Sequence, residues 1–156
     1  MPSDNPKSTW KLAGHPTHPA LVPFPIAFLI GGLVTDIVYR YGGDPFFARA
    51  SFYLLGAGIV TALAAAVVGF TDFVGEPRIR ALSHAWQHLI GNLVAVLLSI
   101  YNFYIRLGDH EAPIRGQGLY VSILVVLILG FTGWRGGDLV FRHRVGVADD
   151  RTADTT

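Results

Sequence analysis

Long apolar segments separated by short polar ones dominate the chain. Four of them cover residues 19–39, 48–70, 88–105 and 118–134, and no charged residue occurs between positions 51 and 69. A helix of about 20 residues, rising about 1.5 Å per residue, crosses a hydrocarbon core of about 30 Å. Buried helices of a soluble protein would show a polar stripe, which segments 51–69 and 120–130 nearly lack. The pattern predicts an all-α integral membrane protein, an antiparallel four-helix bundle with both termini on the same side of the bilayer.

Polar segments flank this region at both ends of the chain. We expect residues 1–14 to form a polar N-terminal segment, residues 15–147 the transmembrane domain, and residues 148–156 a disordered tail. The first 18 residues lack the apolar core of a signal peptide, so the first apolar segment is expected to be a retained helix. Eight Lys and Arg residues lie on the side of the termini and four on the other side. The positive-inside rule then predicts a multi-pass protein of a bacterial-type inner membrane with cytoplasmic termini.

Composition narrows the classes of function. The chain is 51% hydrophobic and only 15% charged, and its net charge of +1 argues against a nucleic-acid partner and leaves the lipid bilayer as the expected one. It contains no cysteine, which excludes disulfides, thiolate metal sites and cysteine nucleophiles. Histidine and carboxylate side chains therefore remain the candidate ligands for a metal or a cofactor.

Those candidate ligands concentrate on one side of the predicted membrane. The cytoplasmic side receives five of the six histidines and two aspartates, and these residues are His15, His18, His84, His88, His143, Asp72 and Asp138. The prolines between positions 16 and 25 cannot all lie in a regular helix, so residues 15–19 are expected to fold over the end of the bundle. The first long helix should then begin near Pro23 or Pro25.

The third apolar segment carries a polar stripe at helical spacing. The residues that recur every three or four positions are His84, His88, Asn92, Ala95, Ser99, Asn102 and Arg106. They share one face of a helix and need partners if that face is buried. On the first helix, Asp36 and Arg40 have the spacing of a surface ion pair.

The motifs together resemble a known family over residues 13–147. They are His15-Pro16-Thr17-His18-Pro19, Asp36, Asp72, His88 with Asn92, and Gly136-Gly137-Asp138-Leu139-Val140-Phe141-Arg142-His143. They resemble the DUF2231 family, which consists of small four-helix bacterial membrane proteins of unknown function. The resemblance implies the fold and leaves the activity open. Relatives joined to cytochrome c-type domains imply redox chemistry.

Two kinds of ligand site fit these residues. The first holds haem b for electron transfer, with His88 and either His15 or His18 as axial ligands, and the cofactor-binding set is His15, His18, His88, Asn92 and His143. Arg78, Arg80, Arg135 or Arg142 would pair with the haem propionates. The second is a non-haem iron, copper or zinc site, and its candidate ligands are His84, His88, Asp72 and Asp138.

Other classes of function stay open at this point. The polar stripe between His88 and Arg106 could line a path for protons or a small solute. The protein could also be a non-catalytic accessory subunit of a membrane complex. A redox partner or a quinone is expected with the haem site, and self-association into a homo-oligomer fits a small membrane protein. Whether the protein is an enzyme is left undecided.

Overall fold

Helices make up most of the chain, as the all-α prediction requires. A computed structural model describes residues 5–147, so the predicted tail and the first four residues lie outside the described part. A two-stranded hairpin, β1 (Lys11–Leu12) and β2 (His15–Pro16), precedes the helices. The helices are α1 (Thr17–Leu21), α2 (Pro23–Gly42), α3 (Pro45–Gly75), α4 (Pro77–Arg80), α5 (Ser83–Tyr104), α6 (Ala112–Arg115) and α7 (Gln117–Phe141).

Proline and glycine determine where the long helices begin and end. Pro23 and Pro45 open α2 and α3, because a proline in the first turn lacks only an N–H that would have no helical partner. Asp44 caps α3 by accepting a hydrogen bond from the Phe46 amide at 2.9 Å. Gly43 ends α2 in the left-handed conformation with φ of 75°, which glycine adopts without steric cost. The predicted start of the first long helix at Pro23 is thereby confirmed.

Two short elements make up the segment before Pro23. His15 lies in β2 and His18 lies in the short helix α1. The amide of Thr17 donates to the carbonyl of Trp10 at 3.0 Å and closes the hairpin against the start of α1. Pro16 lies in β2 and Pro19 in α1, whereas Pro23 and Pro25 lie in the first turn of α2, where proline is tolerated.

Three of the four long helices meet the length and hydropathy of a membrane span. They are residues 17–42, which join α1 to α2, then α3 and α7. Their apolar windows are only 22%, 17% and 22% buried within the protein, so most of their hydrophobic surface faces outward. An outward apolar surface of this extent suits hydrocarbon rather than water. The chain therefore has the architecture of a membrane protein.

The fourth long helix, α5, differs from the sequence prediction. It has 22 residues but does not reach the hydropathy of the other three. The reason is its polar stripe, in which Ala95, Ser99 and Asn102 are buried, as is Arg106 in the turn that follows. The polar residues that the sequence placed on one face of this segment are thus partly buried, and they lower its hydropathy.

The four long helices pack around a shared core. α2 contacts α3 and α7, and α5 contacts α7 and α3. The middle of the core is an apolar layer with one residue from each helix, namely Leu29, Leu55, Ala95 and Val125. Polar side chains lie on both sides of this layer, and they divide the molecule into an end with Asp36 and an end with His18.

A buried ion pair occupies the Asp36 end. Arg106 donates from Nη1 and Nη2 to the two carboxylate oxygens of Asp36 at 2.7 and 2.8 Å, and both side chains are fully buried. Ser51 and Ser122 donate their hydroxyls to the same carboxylate at 2.5 and 2.6 Å. Asn102 accepts from Arg106 Nε at 3.1 Å. The pair thus has partners on α2, α3, α5 and α7.

This network overturns the expected surface pair of Asp36 with Arg40. Asp36 is 0% exposed and bonds to Arg106 across the core, whereas Arg40 is exposed. Helical spacing predicted a neighbour on the same helix, but it does not show which face of that helix is buried. A buried carboxylate requires a desolvated cation with good geometry, and Arg106 supplies it.

The His18 end is closed by the N-terminal segment. Asp72 accepts hydrogen bonds from the Ser8 hydroxyl at 3.0 Å and from the Thr9 amide at 2.5 Å. Glu76 accepts from the Lys7 amide at 3.4 Å and caps α4. The side-chain hydrogen bond from Arg78 is the main reason that the pKa of Glu76 falls to about 2. Two carboxylates at the end of α3 therefore anchor residues 7–9.

Breaking the buried pair should cost a large share of the stability. We expect Asp36→Leu or Arg106→Met alone to lower the free energy of unfolding by about 3–5 kcal/mol, because the remaining charge stays buried without its partner. The double variant should recover most of this loss. Denaturant unfolding in detergent measures it. Arg40→Met is the matched control and should change little, and an equal effect of Arg40→Met would contradict the network.

The Glu76 anchor should give a defined pH dependence. Its folded pKa of about 2 lies below the ordinary 4.5, so the ionised group stabilises the fold above pH 4.5 and loses this effect as the pH falls toward 2. We expect Glu76→Gln to lower the thermal midpoint at neutral pH and to match the unmodified protein near pH 2. Thermal unfolding followed by circular dichroism across this range measures the difference. A difference that is constant with pH would contradict the assignment.

Candidate functional site: a facing histidine pair

His18 and His88 face each other at the end of the core opposite Asp36. Their ring centres are 6.3 Å apart and their ring planes are nearly perpendicular, at 88°. His18 lies on α1 and His88 on α5, so the pair joins the first part of the chain to the third long helix. Both side chains are partly buried. The sequence predicted both as cofactor ligands, and the structure brings these two together.

Each ring is held by one nitrogen. Nδ1 of His18 lies 2.9 Å from the carbonyl oxygen of Ala65 on α3, and Nδ1 of His88 lies 2.8 Å from the carbonyl oxygen of Thr132 on α7. A carbonyl can only accept, so Nδ1 carries the proton in both rings. Nε2 then keeps its lone pair and can bind a metal. A hydrogen bond from the ring nitrogen that does not bind the metal is typical of histidine ligands.

A glycine lies under each ring. A Cβ atom at Gly69 would come within 2.6 Å of Cε1 of His18, and one at Gly136 within 3.0 Å of Cε1 of His88. Any larger residue would therefore displace the imidazole from its position. Both glycines lie four residues after the carbonyl that holds the same ring, on α3 and α7. The two halves of the site thus repeat one arrangement: histidine, helix carbonyl, glycine.

Asn92 lies one turn after His88 and supports this half of the site. Its Nδ2 donates to the His88 carbonyl at 2.7 Å, and its Oδ1 accepts from the Thr132 hydroxyl at 3.2 Å. Thr132 therefore contacts the His88 ring with its carbonyl and Asn92 with its hydroxyl. The predicted cofactor residue Asn92 positions α5 against α7 in the described contacts.

A second group of titratable residues lies at the start of α5. Nε2 of His143 is 3.3 Å from Nδ1 of His84, and Nε2 of His84 is 3.8 Å from Asp138. Arg142 donates from Nε to Asp138 at 3.0 Å. His143, predicted as part of the cofactor set, contacts His84 here and has no described contact with the His18–His88 pair. Asp138 thus pairs with Arg142 and, at 3.5 Å, with Arg135.

The remaining predicted site residues lie elsewhere. His15 is exposed on β2, and Asp72 is occupied by the N-terminal segment. Within residues 5–147, no three histidine, aspartate or glutamate side chains converge as metal ligands. The expected non-haem set of His84, His88, Asp72 and Asp138 is therefore not assembled: Asp72 ends α3 and faces residues 8–10 instead. Helical spacing places His84 and His88 on the same face of α5, but the packing of the neighbouring helices does not bring all four predicted ligands together.

The structure distinguishes one of the arginines that the sequence offered for the haem propionates. Nε of Arg135 is buried and has no hydrogen-bond partner, which no other buried side-chain nitrogen or oxygen atom shows within the described part of the chain. Its guanidinium carbon lies 5.2 Å from the centre of the Phe131 ring. The sequence places Arg135 immediately before Gly136 but did not separate it from Arg78, Arg80 and Arg142.

The comparisons with known proteins agree with the motifs. The sequence profile of a family described as "Predicted membrane protein (DUF2231)" matches residues 14–149. No curated protein and no solved structure matches the chain. The match covers most of the length and confirms the resemblance seen in the histidine–proline and glycine–glycine motifs. On this match, the chain belongs to the DUF2231 family of predicted membrane proteins.

Proposed function

We propose that this membrane protein holds haem b between His18 and His88 and transfers electrons. The single observation that carries the proposal is the geometry of the two imidazoles. They come from separate helices, their centres are 6.3 Å apart, and their planes are at 88°. Two axial histidines on opposite faces of a haem need separate segments of chain, which α1 and α5 supply.

The distance can be compared with that of two imidazoles bound to one metal. A nitrogen–metal bond is about 2.0 Å, and the ring centre lies roughly 1.1 Å behind the nitrogen, so opposed rings have centres about 6.2 Å apart. The measured 6.3 Å agrees with this value. Two histidines in direct contact through a hydrogen bond would lie closer, as His84 and His143 do at 5.3 Å.

The surroundings of the rings support the same use. Both Nδ1 atoms donate to helix carbonyls, which holds the ring orientation and leaves Nε2 available to a metal. Gly69 and Gly136 let the helix backbones approach the rings. Both rings are therefore restrained before a cofactor binds, which would lower the entropy that binding costs.

The proposal includes the arrangement in the membrane. We propose that α5 crosses as a fourth span, because it is 22 residues long and presents exposed apolar residues such as Ile90, Leu93 and Leu97 outward. The bundle is then antiparallel, and both termini lie in the cytoplasm of an inner membrane. The histidine pair would lie toward the cytoplasmic side and the Asp36–Arg106 pair toward the other side.

The chemistry of the site would be electron transfer. Haem b, when bound, would supply a one-electron ferric/ferrous couple for electron exchange between a quinol or protein donor and an acceptor. His18 and His88 would hold the iron, one from α1 and the other from α5.

Replacing either ring should remove the cofactor signal. We expect the purified protein to show a Soret band that shifts and sharpens on reduction with dithionite. His18→Ala and His88→Ala should each abolish bound haem while the protein still inserts into the membrane, because each removes one of two axial ligands. Visible spectra of the oxidised and reduced protein measure this.

The controls use histidines outside the pair. His15→Ala and His110→Ala should keep the spectrum, because His15 is exposed and His110 stacks on Phe52 at 4.2 Å on the other side of the core. Haem retained in His88→Ala would overturn the assignment of that ligand. A featureless spectrum of the unmodified protein would overturn the haem proposal, and metal analysis of the same sample would then test for a bound ion.

Substitution of Gly136, which packs against the His88 ring, should disturb the site without removing a ligand. Gly136→Ala would place a Cβ 3.0 Å from the His88 ring and force the imidazole to move by a few tenths of an ångström. We expect lower haem occupancy or a shifted reduction potential. Gly133→Ala on the same helix is the matched control, since its Cβ would meet nothing within 4 Å. Redox titration of both variants compares them, and identical potentials and occupancies would count against ligation by His88.

A further inference from the structure

We infer that Arg135 binds a carboxylate of the macrocycle held between His18 and His88. This inference rests on the proposed function and deepens it, because it names the residue that recognises the periphery of the cofactor. Two axial ligands hold the metal but leave the macrocycle free to rotate about the axis that joins them. A contact with a peripheral carboxylate would select one orientation.

The observation behind the inference is the unpaired nitrogen. Nε of Arg135 is buried and makes no hydrogen bond within the described part of the chain, although a buried N–H without a partner is costly. Nη1 of the same side chain is held only at 3.5 Å from Asp138. Guanidinium groups bind carboxylates through two parallel N–H groups, so an unpaired Nε beside a neighbouring Nη suits such a ligand.

Arg135 lies in the part of α7 that holds His88. It immediately precedes Gly136, which packs under the His88 ring, and it follows Thr132, whose carbonyl holds that ring, by one helical turn. Phe131 lies under the guanidinium at 5.2 Å and limits its movement. The side chain is therefore restrained beside the site with one donor unused.

The other arginines at this end have different partners or positions. Arg78 binds Glu76 through two side-chain nitrogens, at 3.0 and 2.8 Å. Arg142 donates to Asp138, and its side chain is 68% exposed. Arg80 is exposed at the end of α4, just before α5, and its carbonyl accepts from Trp86 Nε1. Of the four arginines considered from the sequence, only Arg135 has a buried donor without a partner and lies in the part of α7 that holds His88.

Esterified haem tests this directly. Haem-free protein is titrated with haem b and with haem b dimethyl ester, whose carboxylates are blocked, and binding is followed at the Soret band. We expect Arg135→Gln to weaken haem b binding by about tenfold to a hundredfold, the range for one charged hydrogen bond. Binding of the dimethyl ester should be nearly the same in Arg135→Gln and in the unmodified protein.

Two further variants serve as controls. Arg142→Gln removes an exposed arginine that binds the same Asp138, and it should bind both ligands as the unmodified protein does. Arg135→Lys keeps the charge but not the paired donors, and it should recover only part of the affinity for haem b. Retained binding of the ester by Arg135→Gln would show that the variant is folded.

The outcomes separate this inference from the proposed function. If the unmodified protein binds neither ligand, the haem proposal itself fails. If it binds haem b and Arg135→Gln weakens both ligands equally, or weakens neither, the haem proposal stands and the role of Arg135 is overturned. A loss confined to haem b supports the contact with its carboxylate.

Discussion

The buried pair of Arg106 with Asp36 is the interaction on which the rest of the structure depends. Two charges withdrawn from water are costly unless every donor and acceptor finds a partner. Here Ser51, Ser122 and Asn102 complete the set, so α2, α3, α5 and α7 each supply a polar group. Such a network tolerates little rotation of any helix about its own axis. We regard it as the device that sets helix register, a role in which buried polar groups are well attested.

The helix orientations set at that end determine what meets at the other. His88 follows His18 in the chain by the same number of residues as Arg106 follows Asp36. The first half of the chain contributes Asp36 and His18, and the second half contributes Arg106 and His88. Neither half contains a complete site. The apolar layer of Leu29, Leu55, Ala95 and Val125 separates the two polar levels and keeps each at its own end.

Much of the fold could be predicted from the sequence, and much of the site could not. Hydropathy predicted the long apolar helices, proline predicted a start of α2 near Pro23 or Pro25, and helical spacing placed the polar residues of α5 on one face. The partner of Asp36 was predicted wrongly, and Asp72 was expected at a metal site but anchors residues 8–10. The haem itself stays a prediction. The sequence placed five histidines on one side of the predicted membrane, and only the fold selected the two that face each other.

Taken alone, the sequence determined that this chain is helical, apolar and of the DUF2231 family, and that its histidines gather toward one end. These properties depend on residues a few positions apart or on the hydropathy summed over a segment. The amino-acid sequence is therefore enough to predict them. The tertiary structure decided that Arg106 rather than Arg40 neutralises Asp36, that His18 rather than His15 faces His88, and that Nε of Arg135 is left without a partner. Those choices depend on which helix faces come together, because ion pairs, ring contacts and burial act between atoms that are close in space but distant in sequence.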